Sequence, residues 1–113
     1  GEADQHIWVR KGAETIRLDV QTIDWIEAEG EYVRIHAGAA SFLERGSLTD
    51  ATARLAPFGF VRIHRSAVIN PDQVVAVEKS GWGGLVLRLG SGARVPVGRK
   101  YREVARALTA PGL

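Results

Sequence analysis

Two arginines in the second half of the chain stand where the local sequence pattern breaks. Arg65 interrupts the strand-like segment 60–70, and Arg99 follows the sequence Val-Pro-Val-Gly, where a strand pattern gives way to a helical one. Side chains at such breaks project from loops rather than lie flat on a sheet. The planar fork of arginine bonds a phosphate, or the two acceptors on a guanine edge, in a bidentate way. The chemistry that these positions favour is therefore recognition of nucleic acid.

Positive charge is concentrated in the same half of the chain. Residues 1–57 carry six Lys/Arg and ten Asp/Glu, whereas residues 58–113 carry nine Lys/Arg and three Asp/Glu, and the net charge is +2. Such asymmetry indicates a polyanionic partner for one face of the protein. The alternative at this point is that the arginines are scattered, solvated surface residues.

Other kinds of site find little support in the residue pattern. The chain has no cysteine, and His6, His36 and His64 lack the spacing of metal ligands. The acids Glu27, Glu29 and Glu31 share one strand face, but no nucleophile or oxyanion donor stands near them in sequence, so a solvated face is expected. No nucleophile elbow or phosphate-cradling glycine loop occurs. The sequence therefore predicts a non-enzyme without metal or cofactor.

The elements that must position the two arginines are mostly strands. Apolar and polar residues alternate with period two, and turn signals such as Gly30-Glu31 and Asn70-Pro71 separate the runs. We predict half-buried antiparallel strands at 6–10, 14–20, 24–29, 31–37, 40–45, 60–64, 67–69, 73–79, 85–89 and 93–97. In this pattern Asn70 fixes the turn into Pro71 through its own side chain.

Two short helices complete the predicted elements. The first starts at a Ser47 N-cap, carries the stripe Leu48, Ala51 and Leu55, and ends before Pro57. The second starts at Gly98 and carries an apolar stripe formed by Tyr101, Val104, Ala105 and Leu108. Between the strands at 73–79 and 85–89, the glycine-rich loop carries Trp82, which we expect to pack back on the sheet, the alternative being contact with a partner.

A chain of 113 residues predicts a single domain over residues 1–113. Because it starts Gly-Glu-Ala, residues 1–5 are expected to be a linker or cloning remnant, with a partner domain upstream. The apolar runs are short and interrupted by charge, so no membrane span is expected, and the absence of cysteine is compatible with a cytoplasmic location.

Five segments in order resemble the LytTR DNA-binding domain, which occurs at the C-terminus of many bacterial response regulators. They are residues 23–36, 45–48, 60–66 with its His-Arg-Ser motif, 68–70, and 95–99 with its Val-Pro-Val-Gly-Arg motif. The resemblance covers nearly the whole chain. It implies an all-β fold, an elongated antiparallel multi-sheet domain with one short internal helix and a short C-terminal helix.

The resemblance also implies a mode of binding and the residues that carry it. Domains of this family insert loops into successive major grooves of double-stranded DNA, at paired direct repeats upstream of regulated genes, and a homodimer on DNA is one possibility. When the base-contacting positions of the family are transferred to this sequence, they fall on Arg65 and Arg99. A third base contact is implied for Glu31 or Tyr32. Phosphate contacts are expected from Arg45, Ser66, Lys100 and Arg102.

The chain departs from the family pattern in two places. Gly98 stands where the family commonly has Ser, so a helix-capping or phosphate-binding hydroxyl is missing. Glu31 brings an acid to a loop expected near DNA, where it either accepts from a cytosine amine or is turned outward by repulsion from phosphates.

Two other function classes remain open from the residues alone. One is a β-rich protein-interaction or ligand-sensing module that docks an acidic partner on its basic face. The other is single-stranded RNA binding, which requires several aromatic residues on one exposed sheet face. The chain has three Trp, two Tyr and three Phe, and most of them look structural.

Overall fold

The computed structural model describes residues 5–111 and folds them mainly into antiparallel β-structure. The strands are β1 (His6–Lys11), β2 (Glu14–Asp19), β3 (Trp25–Glu29), β4 (Tyr32–Ala37), β5 (Ala40–Arg45), β6 (Val61–His64), β7 (Ala67–Ile69), β8 (Val74–Lys79), β9 (Leu85–Leu89) and β10 (Arg94–Pro96). The helices are α1 (Leu48–Leu55) and α2 (Arg102–Leu108). The all-β fold class is confirmed, and each strand lies within one residue of its predicted bounds. The predicted remnant 1–5 falls almost entirely outside the described residues.

The ten strands form three sheets in which all paired neighbours are antiparallel. The largest sheet has the order β5-β4-β3-β7-β6, the second has the order β10-β9-β8, and β1 pairs with β2 alone. The fold is elongated, with extents of 44 × 34 × 24 Å. No helix among residues 5–111 is long and apolar enough to cross a membrane.

Strand β7 separates two hydrophobic cores. Val68 belongs to the core that also contains Ile26 of β3 and Leu55 of α1. Ala67 and Ile69 point the other way, into a core built with β9 and β10. Because successive side chains of a strand face opposite sides, a strand covered on both faces has to be continuously apolar. This explains the unbroken run at 67–69 and joins the two larger sheets into one body.

Helix α1 forms as predicted from its capping residue. The Ser47 hydroxyl accepts a hydrogen bond from the Asp50 amide at 3.0 Å and so satisfies one of the free donors of the first turn. Leu48 and Leu55 are buried under the helix. The helix ends before Pro57, and Asn70 also behaves as expected, since its Oδ1 accepts from the Asp72 amide at 3.1 Å.

Two local expectations are corrected. The segment after Gly98 does not begin as an α-helix, because a 3-10 turn at Arg99–Tyr101 precedes α2. Trp82 does not pack back on the sheet: its side chain is fully exposed, with a relative accessibility of 104% and a left-handed φ of 64°. Trp82 lies in a short 3-10 turn, Gly81–Gly83, at the tip of the β8–β9 hairpin.

Candidate nucleic-acid interface

Arg65 lies in a tight turn between β6 and β7 that other side chains hold in shape. The guanidinium of Arg62 donates from Nε to the His64 carbonyl at 2.9 Å and from Nη2 to the Arg65 carbonyl. Nδ1 of His64 accepts from the Ser66 amide at 3.0 Å. Three backbone groups of the turn are therefore fixed, while the Arg65 side chain is exposed and has no recorded hydrogen bond or ion pair within residues 5–111.

Arg99 is held next to this turn by the backbone of Gly98. The Gly98 amide donates to the Ile63 carbonyl of β6 at 2.8 Å, and the Tyr101 amide donates back to the Gly98 carbonyl at 2.9 Å. Arg99 and Lys100 are exposed in the 3-10 turn that follows. Because this bond joins the end of β6 to the end of β10, the two arginines sit on neighbouring chain segments.

Close packing explains why glycine occupies position 98. A Cβ atom placed there would lie 3.1 Å from Tyr101 Cδ2 and 3.4 Å from the Cα of His64. Its φ of −70° is ordinary, so close approach and not backbone conformation favours glycine. The hydroxyl expected from the family pattern is absent, and no side chain caps the 3-10 turn. Instead, the two arginine-bearing segments pack closely against each other.

The other predicted contact residues form a corner at the ends of β4 and β5. Tyr32 is directly opposite Arg45 across these strands, and the Arg45 guanidinium carbon lies 5.7 Å from the centre of the Tyr32 ring. Arg45 Nη2 is 3.2 Å from Glu31 Oε1, with both side chains largely exposed. Glu31 is thus paired with a cation, and Tyr32 and Arg45 present a combined aromatic and cationic surface.

The Arg65 turn and the Tyr32 corner belong to the same end of the five-stranded sheet. The Ala28 amide donates to the Ser66 carbonyl at 2.9 Å, which aligns the end of β3 with the turn before β7. Glu29 at the end of β3 is in turn opposite Tyr32. We call this row of strand ends, from Arg45 through Tyr32 and Arg65 to Arg99, the reading edge. Four inter-strand steps separate β5 from β6, so that part of the edge is roughly 20 Å long.

Two predicted phosphate contacts are less accessible than the rest. The Ser66 hydroxyl lies 2.8 Å from His64 Nδ1, which acts as an acceptor, so Ser66 reaches a phosphate only by giving up this bond. Arg102 is half-buried, and its Nε is buried without a hydrogen-bond partner among the described residues. Arg45 and Lys100 are exposed at opposite parts of the reading edge.

Two side chains that shape this edge, Arg62 and Arg34, could not be found from local sequence patterns. The alternation of β6 places Arg62 on the outward face of the strand, and its bonds to the following turn leave no signal in that pattern. Arg34 forms a two-point ion pair with Glu29, from Nε to Oε2 at 2.7 Å and from Nη2 to Oε1 at 3.0 Å. The hydrogen bond from Arg34 lowers the pKa of the Glu29 carboxyl below its ordinary value of 4.5. The pairing neutralises an acid that would otherwise face the reading edge.

The three acids on the β3–β4 hairpin each have a basic partner. Glu27 Oε1 lies 2.8 Å from His36 Nε2, in addition to the pairs of Glu29 and Glu31 described above. Within residues 5–111, no group of three or more His, Cys, Asp or Glu side chains is arranged to hold a metal ion. The arrangement thus leaves cations, an aromatic ring and backbone turns as the chemically available groups of the edge.

Comparison with known proteins identifies relatives over almost the whole chain. The model of a family described as LytTr DNA-binding domain matches residues 13–109. The CO-responsive transcriptional regulator RcoM of Rhodospirillum rubrum is 34% identical over 100 residues, which cover 88% of this chain and 42% of that protein. An uncharacterized response regulatory protein of Vibrio cholerae is 28% identical over 104 residues, or 87% of this chain and 40% of that protein.

A solved structure shares the fold. The LytTr DNA-binding domain of a putative methyl-accepting/DNA response regulator from Bacillus cereus aligns with a TM-score of 0.82 at 21% identity, covering 96% of this chain and 99% of that one. The chain spans about two fifths of the length of the two curated relatives.

Proposed function

We propose, since this chain belongs to the LytTR family of DNA-binding domains, that it is the output domain of a bacterial transcription regulator and binds double-stranded DNA sequence-specifically. Loops of the reading edge enter the major groove. The observation that carries the proposal is the hydrogen bond between Gly98 and Ile63, because it puts the exposed Arg65 and Arg99 on adjacent segments. A binding domain of this kind needs no catalytic residue.

Arg65 and Arg99 are the proposed base readers. Each has an exposed side chain on a fixed backbone, which lowers the entropic cost of presenting the guanidinium to the O6 and N7 acceptors of guanine. Tyr32 and Glu31 provide the third base contact from the other part of the edge. The ion pair with Arg45 reduces the repulsion between Glu31 and the phosphates, which supports a place for this acid near DNA.

Phosphate contacts supply most of the affinity in this proposal and little of the sequence preference. Arg45 and Lys100 are exposed and fit this role directly, whereas Arg102 and Ser66 need local rearrangement. Backbone contacts of this kind fix the register of the protein on the duplex.

The proposal extends to the setting in which the domain works. Binding at paired direct repeats brings two copies of the chain together on DNA, either as independent monomers or as a homodimer. An upstream signal-input domain is consistent with the two fifths of the relatives' length that this chain spans. The proposed location is the cytoplasm, because the domain must have access to bacterial DNA there.

The test is a selection of bound oligonucleotides, followed by titration of Arg65→Ala and Arg99→Ala on the selected duplex and on a random duplex. Each variant should lose about 1–3 kcal/mol on the selected duplex and relax the preference at one base position. Arg17→Ala is the matched control, because Arg17 is an exposed arginine of the separate β1–β2 sheet. Equal losses on both duplexes would contradict the assignment of these arginines as base readers. If duplex affinity did not respond to salt, the protein-interaction module would be the better reading.

A further inference from the structure

Trp82 is an unusual residue for the place it occupies. It sits at the tip of the β8–β9 hairpin with a fully exposed indole and a φ of 64°. This left-handed conformation is energetically unfavourable for a bulky side chain. Exposure of the apolar ring to water adds a second free-energy cost. Neither cost is offset by packing on the body of the protein. Strain and exposure at one tryptophan indicate a surface that meets a partner.

The hairpin tip lies at the same end of the molecule as Arg99. Lys79 and Leu85 are opposite each other at the base of the tip, and the Val97 amide donates to the Leu85 carbonyl at 2.9 Å. The next residue, Gly98, is the one bonded to Ile63. β8 and β10 are separated by β9 alone, so the base of the tip is about 10 Å from the segment that carries Arg99. The tip therefore continues the reading edge beyond Arg99.

The electrostatic surroundings of the tip suit a polyanion. Residues 79–102 include six Lys/Arg and no Asp/Glu. The acid just before them, Glu78, is engaged by Arg94 at 2.8 Å and Arg88 at 3.6 Å. Lys79 is exposed at the base of the hairpin. An exposed apolar ring on a hairpin with Lys79 at its base and no acid in residues 79–102 fits the surface of a duplex, which offers phosphates together with deoxyribose and thymine methyl groups.

We infer that Trp82 is an additional DNA-contacting residue, whose indole lies against the sugar and thymine-methyl groups of the duplex that flanks the bases read by Arg99. This inference rests on the proposed DNA binding and extends the edge by one further element. Trp82 adds affinity and a preference for A·T pairs in the flank, and it does so without a hydrogen bond to a base.

The experiment compares Trp82→Ala with the matched control Trp8→Ala on the selected duplex. Trp8 is 53% exposed but belongs to β1 in the two-stranded sheet. We expect Trp82→Ala to weaken binding about fivefold or more and Trp8→Ala to leave it unchanged. Shortening the duplex on the Arg99 side should weaken the wild type and abolish the difference between wild type and Trp82→Ala. Equal affinities of wild type and Trp82→Ala on the long duplex would overturn the inference.

Two further measurements separate a DNA contact from a structural role. Tryptophan emission should change on addition of DNA in Trp8→Phe but not in Trp82→Phe. Trp82→Gly should raise the melting temperature, because glycine adopts the left-handed conformation readily, while it lowers affinity as Trp82→Ala does. A lowered melting temperature would mean that the indole packs on the protein, and this would overturn the inference.

The pattern of results also identifies which proposal fails. If Arg65→Ala and Arg99→Ala weaken specific binding and Trp82→Ala does not, the assignment of the two arginines as base readers is retained. The proposed DNA contact of Trp82 is then wrong. If the wild type binds no duplex with salt-dependent affinity, the proposed function itself is wrong. If Trp82→Ala changes only the response to signal in the full regulator, the tip contacts the input domain instead of DNA.

Discussion

Arg62 illustrates how one side chain controls the presentation of another. Its guanidinium donates to two successive carbonyls, those of His64 and of Arg65 itself. We expect Arg62→Ala to reduce binding to the selected duplex by about 1–2 kcal/mol, because the turn then loses two charge-assisted bonds. Arg62→Lys should recover part of the lost binding affinity, because lysine keeps the positive charge. The recovery should be incomplete, because the ammonium group lacks the planar fork that reaches both carbonyls.

A positioning role for Arg62 predicts coupling to Arg65. In a double-mutant cycle measured by fluorescence anisotropy, Arg62→Ala should cost little once Arg65 is already Ala, and both single variants should relax the same base position. Independent, additive losses would instead show that Arg62 contacts DNA itself.

The ion pair between Glu29 and Arg34 predicts a change of stability in acid. Its hydrogen bond lowers the pKa of Glu29 in the folded protein, so the stabilisation is present above the ordinary value of 4.5 and is lost as the pH falls through the lowered pKa. Glu29→Gln should flatten the decrease in the free energy of unfolding between about pH 6 and pH 3. The effect should be small and reduced by salt, because the pair is exposed.

Denaturant titrations at several pH values measure this effect. Arg34→Gln should flatten the same part of the profile, and the double variant should add nothing further. A pH profile of Glu29→Gln parallel to that of the wild type would contradict the role of the pair.

At the scale of elements, the contact between the 3-10 turn and β6 depends on the absence of a side chain at Gly98. Gly98→Val should destabilise the fold by about 1–3 kcal/mol, because the added atoms meet the Tyr101 ring and the His64 backbone. Gly98→Ala should cost less, since the Tyr101 ring has some room to move. Urea unfolding measures both variants, and an unchanged midpoint for Gly98→Val would show that the two segments are not closely packed.

Most strands could be predicted from sequence because period-two alternation reports which of their side chains are buried, whereas β7 shows instead the continuous apolar run of a strand covered on both faces. The cap at Ser47 and the turn at Asn70 were predictable for a similar reason, since both bonds are made within three residues. The bond between Gly98 and Ile63 spans distant parts of the chain, and no local pattern encodes it. The expectation that Trp82 packs back on the sheet was wrong because a tryptophan between glycines leaves no pattern in the sequence that tells a packed ring from an exposed one.

At the scale of the whole molecule, the two larger sheets meet at one end. Their strands contribute their ends to the reading edge, and the hydrogen bond from Gly98 to Ile63 joins the segment after β10 to β6 there. The longest extent of the fold, 44 Å, exceeds the roughly 34 Å repeat of one DNA turn. The domain as a whole is therefore longer than one turn of B-DNA.

The proposed division between phosphate contacts and base contacts can be measured through the salt dependence of binding. Arg45 is exposed and lies at the opposite part of the edge from Arg99. Arg45→Ala should weaken selected and random duplexes alike and reduce the slope of log affinity against log salt by about 0.9, the contribution of one neutralised phosphate. Arg65→Ala should reduce affinity for the selected duplex more than for the random one. If Arg45→Ala changed the preferred bases and left the salt slope intact, Arg45 would be a reader and the division of roles along the edge would have to be reversed.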